Sequence, residues 1–531
     1  MASDNTTAPH ACRECRKLKR KCPRELPFCS LCTRLNKRCI YSQDDQSKEI
    51  DDEGRWLHDG AAMSDSTFPS LYLLDSKAFA KNPLDDVDPG IEIPTWVKEH
   101  FPVESISSIC ETYIQSIHPW LPILNTRRLL REIEQSQFQP HSSLALLILC
   151  MSLVSKYPAT EKASKESLYQ ACKAFGSRIE SSGAVSLRLL QATVLISLYE
   201  IGHGVSPAAY LTVGHASQLG LLMGLHDRNH AAQLIKGPAS HAIREEERRA
   251  WWSVLILDRF VHIGTAGLPL SVPDPGQGDL LPSCDRLWNN GEAGVSQPIL
   301  CMSLPFENTT APFASCCQAG HMLGQVLRHR DDQANRLEPW NRLSEALQLH
   351  NTLIALDSDI YQRYVLTSHS HEPGGWVAYA ICCTARFILY GMYACNEPDA
   401  VIVSQGRIED EIRMQQVSLE GIKDMASTKV PDLVRTMASA GLHLHMISPL
   451  MCYSIYHAAS ECAWFINETQ NPEIVEEMNF LVETLKHLSG RWGVAALYVK
   501  LLEQEDSLKT LREAMAESLG LPAHGNGSSF G

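Results

Sequence analysis

CRECRKLKRKC at residues 12–22 and CSLCTRLNKRC at residues 29–39 are one short unit written twice. Each half reads C-x2-C-x6-C, and six residues separate the halves. Two thiols two residues apart can grip one ion, because the intervening turn brings both sulfurs to one side. A third cysteine seven residues on closes back onto that ion. Each half then offers three thiolates, one fewer than structural zinc takes. Two tetrahedral ions need eight metal–sulfur bonds, so with six cysteines two sulfurs must bridge. The symmetric choice is the first cysteine of each half. Cys12, Cys15, Cys22 and Cys29 then hold one zinc ion, and Cys29, Cys32, Cys39 and Cys12 the other. Six thiolates and two zinc ions leave a charge of about −2, which neighbouring Lys and Arg offset.

The competing reading is three disulfides. Met1 to Ala11 is polar and has no apolar leader, so the expected compartment is cytosolic or nuclear. Thiols there stay reduced, and the spacing favours metal.

Residues between the ligands state a purpose. The first loop carries Arg13, Arg16, Lys17, Lys19, Arg20 and Lys21; the second carries Arg34, Lys37 and Arg38. Residues 1–42 hold ten Lys/Arg against three Asp/Glu, while the remainder holds 37 basic and 58 acidic residues. A small positive head on a strongly negative body is the layout expected when only the head touches a polyanion. The alternative, a basic zinc-stapled module that binds protein, fits less well because the charge concentrates on one short helix candidate.

The segment Cys12–Cys39 resembles the DNA-binding domain of the fungal zinc binuclear cluster transcription factors. All six ligand positions match, as do Arg16 after the second cysteine, Lys19 and Lys21 before the third, and Pro27 in the connecting loop. The resemblance implies that the first helix enters the major groove of double-stranded DNA and reads a CGG triplet. A lysine three residues before the third cysteine does much of that reading, and here it is Lys19. Lys17, Arg20 and Lys21 take phosphate contacts on this reading. Leu18 stands where the family often has a base. Lys or Arg on a guanine edge is the commonest specific contact to DNA. Residues 8–42 form this domain, and the basic run Lys17–Lys21 doubles as a nuclear import signal.

Residues 43–95 read as an acidic linker. Asp44, Asp45, Glu49, Asp51, Asp52, Glu53 and Asp59 crowd its first part, which has too little apolar surface to fold alone. No heptad seam is sustained: Ile50 and Leu57 are seven apart, but the next step lands on Ser64, and the d positions are Glu53 and Gly60. Residues 68–86 mix aromatic, Leu and Asp residues, as a short activation motif would; a segment packed onto the body is the other reading.

Residues 96–518 read as a large all-α body, and 519–531 as a disordered tail. Leu144–Val154 is an apolar run of 11 residues, too short for a bilayer, hence a buried helix. Helical spacing marks Leu187–Ile201, interrupted by Gly202-His203-Gly204, then Pro207–Met223 and Glu245–Ile263. In the last, Glu245 and Arg249 form an i,i+4 pair. Further helices are predicted over 338–366, 373–396, 406–427, 430–446, 449–466, 472–489 and 492–518. Strand-like alternation is scarce, so the fold class is mainly α, with short 3₁₀ pieces.

Four stretches of the body, 113–124, 189–204, 208–226 and 245–260, resemble the regulatory (middle homology) domain of the same family, over about 113–285. Its landmark is EEERRAWWSVLILDRF, with Arg248, Arg249, Trp251, Trp252, Asp258 and Arg259 at matching positions. Asp258 and Arg259 follow an apolar turn and read as structural ion-pair partners rather than ligands.

Catalytic patterns do not emerge. Gly202-x-Gly204 ends in Pro207 and follows a helix, so it is no dinucleotide loop. The GxSxG match at Gly527–Gly531, centred on Ser529, lies at the end of a polar tail. His443 and His445 fall on different helix faces. Cys316-Cys317 and Cys382-Cys383 read as small core hydrophobes. The chain is therefore expected to be no enzyme. It reads as a nuclear, sequence-specific factor that regulates RNA polymerase II transcription of a fungal metabolic pathway or secondary-metabolite gene cluster. The expected partners are CGG-containing DNA and the transcription machinery, with a second copy of the chain and a small-molecule effector as further candidates and no membrane. The alternative reading is a helical receptor or enzyme body carrying a DNA-binding appendage.

Overall fold

In the computed structural model the basic head and the acidic body fold as separate units, Met1–Asp65 and Ser66–Gly531. The structure describes residues 7–8, 10–35, 37, 39, 41, 73, 90–100, 105–136, 140–157, 163–228, 230–231, 233–238, 240–276, 278–292, 294–299, 311–332, 339–366, 372–394, 409–441, 446–469 and 471–518. Nearly all of the linker expected at 43–95, including the 68–86 motif, lies outside the described residues. So do the 519–531 tail with Ser529, and His443 and His445.

The head holds two five-residue helices, α1 (Arg13–Lys17) and α2 (Ser30–Arg34). Helices this short do not persist on their own. A sulfur cluster stands in for their apolar core: Cys12, Cys15, Cys29, Cys32 and Cys39 are buried, with Cys22, Leu31 and Tyr41 packed against them.

The body begins with α3 (Thr95–Lys98), α4 (Ile106–Ser116), α5 (Thr126–Gln135), α6 (Ser142–Ser155), α7 (Ser167–Ser181), α8 (Leu187–His203), α9 (Ala208–Leu222) and α10 (His241–Val261). The apolar run becomes α6, every residue of which is buried. It packs between α4, α7 and α8. Side-chain oxygens open three of these helices: Asn125 accepts from the Arg128 amide, Ser186 from Leu189 and Ser240 from Ile243.

Next come α11 (Asp285–Asn289), α12 (Pro312–Asp331), α13 (Pro339–Tyr361), α14 (Pro373–Gly391), α15 (Glu409–Asp424), α16 (Val430–Ser439), α17 (Cys452–Thr469), α18 (Pro472–Ser489), α19 (Gly493–Gln504) and α20 (Ser507–Ser518). Helix α12 packs along α14. On the other flank of α12, a Cβ at Gly320 or Gly324 would run into Ile256 or Arg259 of α10. One hydrophobic core runs through the whole body. Among the described residues no strand forms, and none of their helices is long and apolar enough to cross a membrane.

Several boundaries differ from the sequence reading. Gly202 does not interrupt α8, which runs through His203 and stops at Gly204, a left-handed cap with φ +65°. The two helices expected at 406–427 and 430–446 join into one run, because Met425–Lys429 forms a widened π turn. That run ends at Ser439, two residues before the left-handed Gly441. The expected helix 492–518 breaks at Asp506, whose φ of +59° suits Asp better than most residues. Sequence periodicity passed over α5, α7 and α12. Only Leu129 and Ile133 are buried in α5, and small residues and glycines fill α12.

Candidate metal centre and nucleic-acid interface

The repeat in the sequence is a repeat in the backbone. At an offset of 17 residues, the amides of Cys12 and Cys29 donate to Cys22 Sγ (3.4 Å) and Cys39 Sγ (3.2 Å). Arg16 N and Thr33 N donate to the carbonyls of Cys12 and Cys29, and Arg20 N and Lys37 N to those of Cys15 and Cys32. Cys12 and Cys29 are the N-cap residues of α1 and α2, in extended backbone.

This frame draws four sulfurs together. Cys12 Sγ lies 3.7 Å from Cys29 Sγ and 3.6 Å from Cys32 Sγ; Cys15 Sγ lies 3.6 and 3.9 Å from the same two. A tetrahedron of sulfurs at the usual zinc–sulfur bond length of about 2.3 Å has edges of about 3.8 Å. These four sulfurs are spaced as the ligands of one zinc ion are, and all four are buried; the set takes two cysteines from each half, without Cys22 and Cys39, and so is neither of the two four-cysteine sets expected from the sequence. Burial pushes the Cys29 thiol up, but the Cys32 amide and neighbouring thiols outweigh it and hold it down to about 6. Cys12 is lowered against burial in the same way, with help from the Cys15 amide. Cys22 is the half-buried thiol of the six, and its Sγ lies 3.7 Å from the Tyr41 hydroxyl. Sequence reasoning missed Tyr41, whose signal was an aromatic hydroxyl two residues past the last cysteine.

The basic run lies on the outside. Arg16, Lys19, Arg20 and Lys21 are exposed, and Leu18 between them is 46% exposed. Arg16 also reaches back to the Ala11 carbonyl. The side chain of Lys17 falls outside the described residues. Just past the end of α1, Lys19 turns the chain with a φ of +46°. The Lys19 amide donates to the Arg16 carbonyl and the Arg20 amide to the Cys15 carbonyl, the paired bonds of a left-handed helix end. Glycine or asparagine usually takes this position; here a lysine does.

Residues 10–48 match the family described as the fungal Zn(2)-Cys(6) binuclear cluster domain, and residues 110–353 match the fungal specific transcription factor domain. A transcription factor of Botryotinia fuckeliana is 34% identical over 147 residues, covering 28% of this chain and 82% of that protein. The chain belongs to the fungal zinc binuclear cluster transcription factors. A depudecin biosynthesis cluster-specific transcription activator of Fusarium langsethiae is 21% identical over 382 residues, or 53% of this chain and 62% of that protein. A citrinin biosynthesis transcriptional activator of Monascus ruber is 22% identical over 380 residues, or 61% and 74%. Membership makes the head a DNA-binding domain that binds two zinc ions, and the chain a transcription factor. The regulatory-domain match runs past residue 285, where the sequence resemblance stopped, to 353.

The family landmark in α10 is a buried charge network. Glu245, Glu246, Arg249, Asp258 and Arg259 are all fully buried. Glu246 accepts from Arg128, Arg188 and Gln191 at 2.7–3.0 Å. Arg249 bonds Glu245, Asp285 and the Ser283 carbonyl and lies 4.1 Å from the Trp288 ring. Arg259 pairs with Asp258 and Asp274, while Asp258 accepts from the Ser271 and Val272 amides. These charges hold α10 to α5, α8 and the 271–285 segment, so Asp258 and Arg259 are structural partners. Gly202 and Gly204 likewise serve structure: a Cβ at Gly202 would strike Trp492. Cys316, Cys317, Cys382 and Cys383 are buried, and burial pushes each thiol up.

Proposed function

We propose that this protein is a nuclear regulator of a fungal biosynthetic gene cluster, acting at promoters that carry CGG triplets. The observation that carries the reading is the duplicated head, which gathers four of its thiols together and exposes Arg16, Lys19, Arg20 and Lys21. Cys12 and Cys29 bridge two zinc ions; Cys15 and Cys22 complete one, and Cys32 and Cys39 the other. Lys19 reads the triplet, Lys17, Arg20 and Lys21 bind phosphates, and Arg16 is a further DNA-binding residue. The cluster assignment is supported by relatives whose names tie them to depudecin, ascochitine and citrinin biosynthesis. The aligned parts span between about half and three quarters of these relatives. The body regulates rather than catalyses, and its partners are the transcription machinery, a second copy of the chain and a small effector.

Genome-wide chromatin immunoprecipitation of the tagged protein, with transcript profiling of a deletion strain, tests this. Sharp peaks at CGG-containing promoters of neighbouring, co-regulated genes are expected. A protein outside the nucleus with no enriched promoter under any growth condition overturns the reading.

A further inference from the structure

A slot of about 210 Å³ opens between α7 and α9, floored by α8 and by Leu146 of α6. Polar pairs stand at both ends. At one, the Lys173 ammonium donates to Thr212 Oγ1 at 2.8 Å and pairs with buried Glu200 at 3.1 Å. At the other, His215 Nε2 lies 3.6 Å from Glu180 Oε1. Between them Leu146, Ile196 and Leu211 supply the apolar surface, with Ser177 and Thr193 beside them, and Leu211 is 64% exposed. An ammonium has three donors, and two are used here, so one is left for an oxygen in the slot.

Gly176 explains why the slot exists. It sits inside α7, where glycine costs stability relative to alanine. An added Cβ there would meet nothing nearer than Leu146 Cδ2 at 3.7 Å, an ordinary contact. No neighbour demands glycine; the missing side chain keeps the space open. An enclosed apolar cavity of roughly 150 Å³ takes a benzene ring; this slot is larger, partly polar and open to solvent on one side, so it has room for a ring with a polar substituent.

We propose that the slot binds a single-ring organic molecule bearing an oxygen substituent. The ring lies on Leu146, Ile196 and Leu211, and the oxygen accepts from Lys173. The purpose of such binding, an input to the regulatory body, rests on the function proposed above; the binding itself does not. It is read on the purified full chain without DNA, by saturation-transfer NMR with phenol, 4-hydroxybenzoate and toluene as probes. The two oxygenated probes are expected to bind saturably, and toluene at least about fivefold more weakly. Gly176→Leu, which fills the slot, should weaken phenol about tenfold or more while the thermal midpoint holds or rises. Should that variant misfold, Leu211→Asp at the exposed rim should weaken it about fivefold. No saturable binding by any probe, or equal binding by wild type and both variants, overturns the proposal. Probe binding without promoter occupancy in cells would defeat the regulatory reading alone; promoter occupancy without probe binding would defeat the slot alone.

Discussion

The Tyr41 hydroxyl lies 3.7 Å from Sγ of Cys22, the one half-buried thiol of the duplicated head. In the proposed cluster Cys22 is a terminal thiolate, and a donor at this distance would steady it where water reaches it most easily. Groups just outside a metal's ligands typically contribute 10–100-fold to its affinity. Tyr41→Phe keeps the ring and removes the donor, so zinc should pass to a chromophoric chelator at least about tenfold faster. Unchanged release would remove the hydroxyl from the zinc environment.

The bridging assignment makes the six cysteines unequal. Cys12→Ala and Cys29→Ala should each lose both zinc ions, because each thiol serves two, whereas Cys22→Ala should disturb one ion first. Elemental analysis of the purified chains decides this. One zinc ion kept at full affinity by Cys12→Ala or Cys29→Ala contradicts the bridge.

Lys19 holds a left-handed backbone that costs an L-residue roughly 1–2 kcal/mol. Lys19→Gly therefore separates folding from recognition. The head should become more stable by about 1 kcal/mol and lose roughly 1–3 kcal/mol of preference for CGG over a mutated triplet. Competition binding at fixed salt reads both sequences. Equal weakening on each would make Lys19 a phosphate contact.

The head was legible because metal geometry leaves few solutions: paired cysteine spacings imply a shared ion, and the basic residues lie next to them. The body was legible where apolar residues recur, as in α6, α8 and α10. It was opaque where helices are held by charge. The i,i+4 pair Leu129 and Ile133 marks the buried face of α5, but nothing in TRRLLREIEQ announces the salt bridge from Arg128 to Glu246, 118 residues away. The Glu245–Arg249 pair could be read from its spacing, but its burial and its bonds to Ser283 and Asp285 could not. The slot was hidden for a similar reason: a glycine inside a helix looks like a weakness until its neighbours are known.

The α5–α10 network carries a pH dependence. Burial pushes the Glu132 carboxyl up, but the hydrogen bond to His141 and the charges of Arg188 and Arg128 outweigh it and hold it at about 2. Its unfolded value is about 4.3. A carboxylate depressed on folding stabilises above the unfolded pKa and loses that contribution as pH falls through the folded one. The effect is of order 3 kcal/mol, present at neutral pH and fading between about pH 5 and pH 2. Glu132→Gln should lower the urea midpoint at about pH 7 and flatten its acid decline, followed by far-ultraviolet circular dichroism. A parallel shift at all pH values would mean that Glu132 contributes packing and not charge.

Trp492 ties the end of the body to its centre. Its fully buried ring lies against Gly202, and its Nε1 donates to the Ile447 carbonyl at 2.8 Å. Next to it, Arg491 bonds the carbonyls of Val154 and Lys156 at the end of α6. A Cβ at Gly202 would stand 2.5 Å from Trp492 Cε3 and 2.7 Å from Cζ3. Neither the ring nor α8 has space to yield, so overpacking outweighs the helix propensity that alanine gains. Gly202→Ala should cost about 1–3 kcal/mol. Gly391→Ala, at a helical glycine with nothing within 4 Å of an added Cβ, should be neutral or slightly stabilising. Urea midpoints of the two variants make the comparison; equal midpoints would show that the α8–α19 contact yields without cost.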